Sequence, residues 1–284
     1  GIRADAASKA EELRRALKQD GKEAVKQVGE ADANVQKKLV PKLLDIYLRG
    51  GWDESAAART VLRDLGMKHP KAVAPEVEKR FMQAGEDQLA VRLPLMELLR
   101  DLGPGAKHGM SAVVEALKSD DLNMQQQAVW AASAVGKQAK DAVPPLLNLL
   151  DSEDALLRED AAEALSIIGV SGSAVPKVRK ALDSDDPVVR QFAVRALQEV
   201  GPAGAEAVPD LINMVKSADR IMKLEAIKAL AAVGPDAEEA VPVLLNLAEG
   251  KSQRIQEMIQ KTLDKVKPEN AAPIAYDSEV SCDE

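Results

Sequence analysis

Two histidines, one cysteine and two carboxylate clusters are the side chains of this sequence that could support catalysis or metal binding. His69 and His108 lie in predicted loops, and neither is followed by a glutamate. Cys282, the single cysteine, is far from both histidines in the sequence. A nucleophilic site needs a base within hydrogen-bond reach, and a transition-metal site needs several suitable ligands. These residues therefore predict no catalytic site, no metal site and no cofactor, and we predict that the protein is not an enzyme.

The carboxylate clusters favour roles in folding over cation binding. Glu159, Asp160 and Glu163 share a predicted helix, where such residues usually form a solvated face. The stretch "DSDD" (183–186) lacks the glycine and the terminal glutamate of an EF-hand loop. Capping of a helix N-terminus explains Asp186 better than calcium binding does.

The composition is that of a helical protein with a sizeable core. Hydrophobic residues make up 46% of the 284 residues, but aromatic residues make up only 2%. Alanine, leucine and valine supply the apolar mass, and these side chains suit the packing of helix on helix. No apolar run approaches the roughly 18 residues of a membrane-spanning helix, so we predict no membrane span.

The charge is concentrated at the C-terminus. Residues 268–284 contain five acidic residues and no lysine or arginine, and we predict that this tail is disordered. The rest of the chain holds 38 basic and 41 acidic residues, a net charge of −3. Nucleic-acid binding requires a basic surface to neutralise phosphates, so the sequence predicts no nucleic-acid partner.

The N-terminus "GIRADAASKAEEL" lacks the basic and apolar segments of a signal peptide. We therefore predict a cytoplasmic location. The first residue is not methionine, which leaves open a leader that has been removed.

The elements that carry these side chains follow an internal repeat of about 33 residues. One marker is a glycine at the end of each unit, found at Gly66, Gly103, Gly136, Gly169, Gly201 and Gly234. A second marker is a proline, found at Pro41, Pro75, Pro144, Pro176, Pro209 and Pro242. Glycine follows proline by 25 residues in four units, and two markers in phase indicate a true repeat.

Each unit is predicted to form two helices. The first begins near the proline, and a short polar loop follows it. Asp154, Asp186 and Asp219 are predicted to cap the second helices, which end at glycines such as Gly169 in a left-handed conformation. One helix pair cannot bury its own apolar stripe, so consecutive pairs must stack.

The unit "AVPxLLxLLxDxDxxxRxxAAxALxxIG" resembles a HEAT repeat, and it is similar to the short bacterial variety named after phycobilisome lyases. The clearest copy carries the pattern on Leu146, Asp154, Arg158, Ala161, Leu165 and Gly169. The resemblance implies an all-α, right-handed α-solenoid of stacked two-helix HEAT-like repeats, about seven of them over residues 34–267. Residues 1–33 are predicted to form an N-terminal helical cap or a degenerate repeat.

The resemblance also implies a polar ladder between repeats. Arg158, Arg190 and Lys223 hold the basic position that pairs with the loop aspartate in this family. Gln125 and Gln256 interrupt the ladder, which puts the polar bonding of their repeats in question.

The second helices are predicted to line a concave face. Positions in a unit are counted from its proline, or from Ser111 where the proline is missing. The residues at positions 13, 17, 21 and 24 are predicted to be buried, and those at positions 15, 16, 19, 22 and 23 are predicted to face outward. We predict a protein-binding surface there, formed by Gln127, Trp130, Asp160, Glu163, Ile167, Phe192, Arg195 and Lys228. The competing interpretation is that Trp130 and Phe192 seal neighbouring repeats.

These observations favour a non-enzymatic scaffold or adaptor that binds a protein or peptide partner on the concave face. The resemblance implies one alternative, a phycobilin lyase or isomerase subunit. A HEAT-like nucleic-acid-binding protein is a weaker alternative because the outward rows mix both signs of charge. The sequence leaves open whether the partner is a second copy of the chain, in a homo-oligomer.

Overall fold

The structure is a computed structural model that describes residues 2–17, 21–217, 219–249, 251 and 253–267. The predicted tail, residues 268–284, lies outside the described residues. Within the described ranges, every regular element is helical. The described residues divide into two compact units, the first ending at residue 146 and the second beginning at residue 147.

The first unit contains a helix pair at its N-terminus followed by three further pairs. Its helices are α1 (Ile2–Ala16), α2 (Gly21–Glu30), α3 (Ala33–Arg49), α4 (Trp52–Lys68), α5 (Pro70–Gln83), α6 (Leu89–Asp101), α7 (Met110–Ala116) and α8 (Leu122–Val135). The second helices α4, α6 and α8 contact one another in succession, and α2 contacts α4. Apolar side chains such as Leu43, Leu62, Phe81 and Leu99 are fully buried between these layers.

The second unit repeats the same arrangement. Helix α9 (Val143–Leu149) includes the boundary, and the remaining helices are α10 (Ala155–Ile168), α11 (Val175–Leu182), α12 (Pro187–Val200), α13 (Val208–Ser217), α14 (Arg220–Val233), α15 (Val241–Ala248) and α16 (Gln253–Val266). The second helices α10, α12, α14 and α16 contact one another in succession. The predicted all-α solenoid of stacked helix pairs is confirmed.

Aspartates cap the N-termini of the second helices, as the sequence predicts. The Oδ1 atom of Asp154 accepts a hydrogen bond from the backbone N–H of Leu157 at 2.8 Å, and Asp219 does the same for Met222 at 3.0 Å. Asp186 accepts from two backbone N–H groups of α12. Each cap satisfies N–H groups that have no partner inside the helix.

The proline marker has two different roles. Pro144, Pro176, Pro209 and Pro242 lie in the first turn of their helices, as predicted. Pro41 and Pro75, however, lie inside α3 and α5, so the prediction that these helices begin near them is wrong. Helix α3 begins instead after the capping residue Asp32, whose side chain accepts from Asn34 N–H.

The glycine marker also differs from its prediction in detail. Gly136, Gly169, Gly201 and Gly234 have φ between +63° and +78° but ψ far from the value of a left-handed helix, so the prediction of that cap conformation is wrong. Gly66 was predicted to end a helix, but α4 continues to Lys68. A Cβ atom on Gly66 would lie 2.3 Å from Cδ2 of Leu102, so close packing accounts for this glycine.

The polar ladder is present in part. Arg158 donates from Nε to Oδ2 of Asp186 at 3.1 Å, and so links α10 to the next repeat. Its Nη1 also donates to the carbonyl oxygen of Ser152, in the loop that leads into α10. Among the described residues, Gln125 and Gln256 form only the second kind of bond, to the carbonyls of Leu117 and Ala248. The glutamines therefore tie the two helices of one repeat together.

Candidate protein-binding surfaces

A tryptophan held by an arginine is the main feature of the second-helix surface in the first unit. The side chain of Trp130 on α8 is 37% exposed, and the Arg100 guanidinium of α6 lies 5.8 Å from its ring centroid. Arg100 also donates from Nη1 to Oε1 of Gln127 at 2.9 Å. A cation this close to an indole face is attracted to the ring. The three side chains therefore form one connected cluster, which we call the Trp130 cluster.

Carboxylates of α6 extend this cluster toward α4. Asp101 lies 3.6 Å from Nη2 of Arg100 and accepts hydrogen bonds from Nε and Nη2 of Arg59 at 2.9 and 2.7 Å. Arg59 also bonds Glu97 at 3.2 Å. Ion pairs thus connect Arg59 of α4 through Asp101 to Arg100, whose hydrogen bond to Gln127 reaches α8, and these bonds limit the rotamers open to Arg100.

In the second unit, the predicted residues separate into exposed and buried sets. Glu163, Ile167 and Arg195 are exposed, and Asp160 is half-buried. Phe192 is only 4% exposed, so the prediction that its ring lies on the surface is wrong. Helix α12 contacts both α10 and α14, and position 16 of this middle helix belongs to the core.

Lys228 is engaged within its own helix. Its Nζ donates to Oε1 of Glu225 at 2.7 Å, and Gln198 of α12 donates to the other carboxylate oxygen at 2.9 Å. Hydrogen bonds from Lys228 and then Gln198 lower the pKa of the Glu225 carboxyl below its ordinary value. Lys228 is therefore part of an ion pair, and the charge of Arg195 also acts on the Glu225 carboxylate.

Two residues that the sequence reasoning missed share one position. Arg100 and Gln198 both lie three residues before the closing glycine of their units, Gly103 and Gly201, and each donates to position 16 of the following second helix, Gln127 or Glu225. This shared register was present in the sequence. A hydrogen-bonding residue three before the closing glycine, followed by another at position 16 of the next unit, is the signal that would have found them.

The potential metal ligands do not converge in the structure. Among the described residues, no group of three or more histidines, cysteines, aspartates or glutamates could hold a metal ion. His69 and His108 are half-buried at helix junctions rather than exposed, and Cys282 lies outside the described residues. No helix in the described ranges is both long enough and apolar enough to cross a membrane.

Comparisons with known proteins identify the repeats. A profile of HEAT repeats matches residues 90–166, 110–185 and 175–264, which together cover more than half of the chain. No curated protein sequence matches significantly. The fold is similar to the crystal structure of an archaeal HEAT-like repeats protein from Thermococcus onnurineus NA1, with a TM-score of 0.55 and 13% identity over 81% of this chain and 97% of that protein. Importin beta is similar with a TM-score of 0.51 and 15% identity, over 89% of this chain and 39% of importin beta. The chain belongs to the HEAT-repeat family.

Proposed function

We infer that the protein is a non-enzymatic scaffold that binds a protein or peptide partner through the outward side chains of its second helices. The observation that carries this proposal is the Trp130 cluster. Helix α8 already buries six apolar side chains, among them Met124, Val129 and Val135, so the fold does not require a tryptophan at this position. A partly exposed indole beside an ordered arginine matches the residue types that dominate binding energy at protein interfaces.

The fixed conformation of the side chains in the Trp130 cluster also favours binding. Arg100 is held by Asp101 and Gln127 before any partner arrives. Side chains that are already positioned lose less conformational entropy on association, which improves affinity. In the second unit, Ile167 and Arg195 supply an apolar and a cationic contact of the same kind, and Asp160 and Glu163 supply negative charge.

The chain offers a matched test because it contains two tryptophans. Trp130→Ser removes the ring of the cluster, whereas Trp52→Ser removes an exposed tryptophan at the start of α4. Each variant and the wild type are used for affinity capture from an extract of the source cells, followed by quantitative mass spectrometry. We expect at least one protein to be retained by the wild type and by Trp52→Ser but lost with Trp130→Ser.

Circular dichroism of all three forms checks that the helices are intact. If every retained protein is captured equally by the three forms, the Trp130 cluster is not a binding surface and the proposal fails.

A further inference from the structure

An apolar row on the second unit lies at the N-terminal end of the outward face of its second helices, because its residues stand four before position 16 and seven before position 19. Each of α10, α12 and α14 has two consecutive apolar residues in its first turn. The later one is buried, and these residues are Leu157, Val189 and Met222. The earlier one, two residues after the capping aspartate, is exposed by 63%, 39% and 65% at Leu156, Val188 and Ile221. We call these three residues the N2 row.

The fold itself does not require the N2 row to be apolar. The buried neighbour of each residue already supplies the core contact of its turn. In α8 and α16 the same position of the repeat is polar, as Asn123 and Arg254. Exposed leucine, valine and isoleucine therefore recur at one register of three consecutive repeats, and an exposed apolar row of this kind marks a candidate interaction site.

Charges beside the row are distributed unevenly. Glu153 precedes α10, and Asp183 and Asp185 precede α12; all three side chains are exposed, and within the described ranges none forms an ion pair. At the α14 end, Lys216 and Arg220 are exposed. A partner that fits must therefore be cationic along the first two repeats and anionic at the third.

The spacing of the row matches a helical partner that has one apolar residue every two turns. Packed helices lie about 8–10 Å apart, so successive residues of the row are separated by about that distance. Seven residues of an α-helix rise about 10.5 Å. We propose that the N2 row is a docking surface for an amphipathic helix with an apolar residue every seven positions, basic in its first two heptads and acidic in its third. The row continues the outward face of the second helices, so this inference rests on the proposed function and names the kind of partner that the second unit binds.

The test uses a labelled synthetic helix of about 21 residues, three heptads, with one leucine per heptad, lysines in the first two heptads and glutamates in the third. Binding to the full chain is followed by fluorescence anisotropy. We expect Leu156→Ser combined with Ile221→Ser to weaken binding at least tenfold. Raising the ionic strength from about 0.05 M to about 0.5 M should weaken it several-fold, because the Debye length shortens.

The controls separate this surface from other exposed apolar residues. Leu245→Ser alters an exposed leucine of α15, and Trp130→Ser alters the cluster of the proposed function; both should leave peptide binding unchanged. A peptide with its lysine and glutamate heptads exchanged should bind at least tenfold more weakly. The proposal is overturned if the designed helix does not bind, if the double variant binds as well as Leu245→Ser, or if only a peptide with leucines spaced for an extended chain binds.

Discussion

At the scale of single residues, position 14 of the repeat shows how one structural task is met by different side chains. Arg158 and Arg190 donate to backbone carbonyls just before their helices, and Ser55, Gln125 and Gln256 donate to the end of the preceding first helix. Arg92 occupies the equivalent place in α6, eleven residues before the closing glycine of its unit, and among the described residues it has no such bond: its guanidinium lies 4.1 Å from the centroid of the Phe81 ring. Arg92 is 4% exposed, and its Nε has no hydrogen-bond partner among the described residues.

We predict that Arg92→Met stabilises the protein. A buried cation whose Nε lacks a hydrogen-bond partner incurs a desolvation penalty of several kcal/mol, whereas a cation–π contact returns about 0.5–2 kcal/mol. Methionine retains the aliphatic packing and removes the charge, so the free energy of unfolding should rise by about 1–2 kcal/mol in urea denaturation. Arg158→Met is the matched control, and it should lower the free energy of unfolding by about 3 kcal/mol because buried Asp186 loses its partner. Equal losses in both variants would contradict the prediction.

The phenol of Tyr47 provides a prediction that depends on pH. Its hydroxyl donates to the Pro94 carbonyl at 2.8 Å, and burial raises the pKa of Tyr47 from 10.0 to about 12. The folded state therefore keeps its proton where the unfolded state has lost it. Stability from this group is complete below pH 10 and is lost as the pH rises toward 12, by about 2–3 kcal/mol in total.

Comparison with Tyr47→Phe isolates this effect. At neutral pH the variant should be less stable than the wild type by about 1 kcal/mol, because the Pro94 carbonyl loses its donor. Above pH 10, Tyr47 ionises in the unfolded state, which favours unfolding of the wild type but not of the variant. The difference between their free energies of unfolding should therefore shrink and then reverse. Urea denaturation of both proteins at a series of pH values measures it, and a difference that is constant with pH would refute the assignment.

At the scale of helices, the starts of the second helices capped by aspartate were predictable, whereas other helix boundaries were predictable only in part. An aspartate cap is a local interaction between a side chain and its own turn, so Asp154, Asp186 and Asp219 could be assigned from sequence. The position of Gly66 in the repeat suggested a helix end, but the structure explains it through Leu102, 36 residues later in the chain. Contacts of that kind depend on how neighbouring repeats pack, and this packing cannot be read from the repeat pattern of the sequence.

Substitution of Gly136, the glycine that ends α8, tests the backbone conformation found at these helix ends. Gly136 has φ 69° and ψ −143°, and no atom lies within 4 Å of an added Cβ. A side chain would therefore strain the backbone without a steric clash. Asparagine tolerates a left-handed helical cap, but this region is almost confined to glycine. Gly136→Ala and Gly136→Asn should both lower the free energy of unfolding by about 1–3 kcal/mol. Thermal or urea denaturation showing near-native stability for Gly136→Asn would favour an ordinary left-handed cap.

At the scale of the whole molecule, the repeat period predicted the architecture, while the surface depended on packing that the period does not describe. Counting positions placed Trp130, Ile167 and Arg195 outward correctly. It failed for Phe192, because positions at the edge of an outward stripe become buried when a helix has neighbours on both sides. The binding role of the outward residues stays a prediction, which the two tryptophan variants test.

Repeat stacking also predicts how local damage spreads in the second unit. Helix α12 contacts α10 and α14, whereas α16 contacts α14 and α15 and closes the described part of the chain. Leu197 of α12 and Leu263 of α16 are both buried, so truncation to alanine should cost about 2–5 kcal/mol at either site. Each repeat is stabilised mainly by its neighbours. The position of the cavity that the substitution leaves therefore decides which helices lose protection from amide hydrogen exchange.

Native-state hydrogen exchange distinguishes the two variants. Leu263→Ala should speed amide exchange in α16 strongly and in α12 little, because the terminal helix can open while the layers before it stay stacked. Leu197→Ala should speed exchange in α10, α12 and α14 together, because the weakened layer supports both of its neighbours. If the two substitutions lower protection uniformly through the unit, the repeats unfold as one cooperative block and the nearest-neighbour description of this solenoid is wrong.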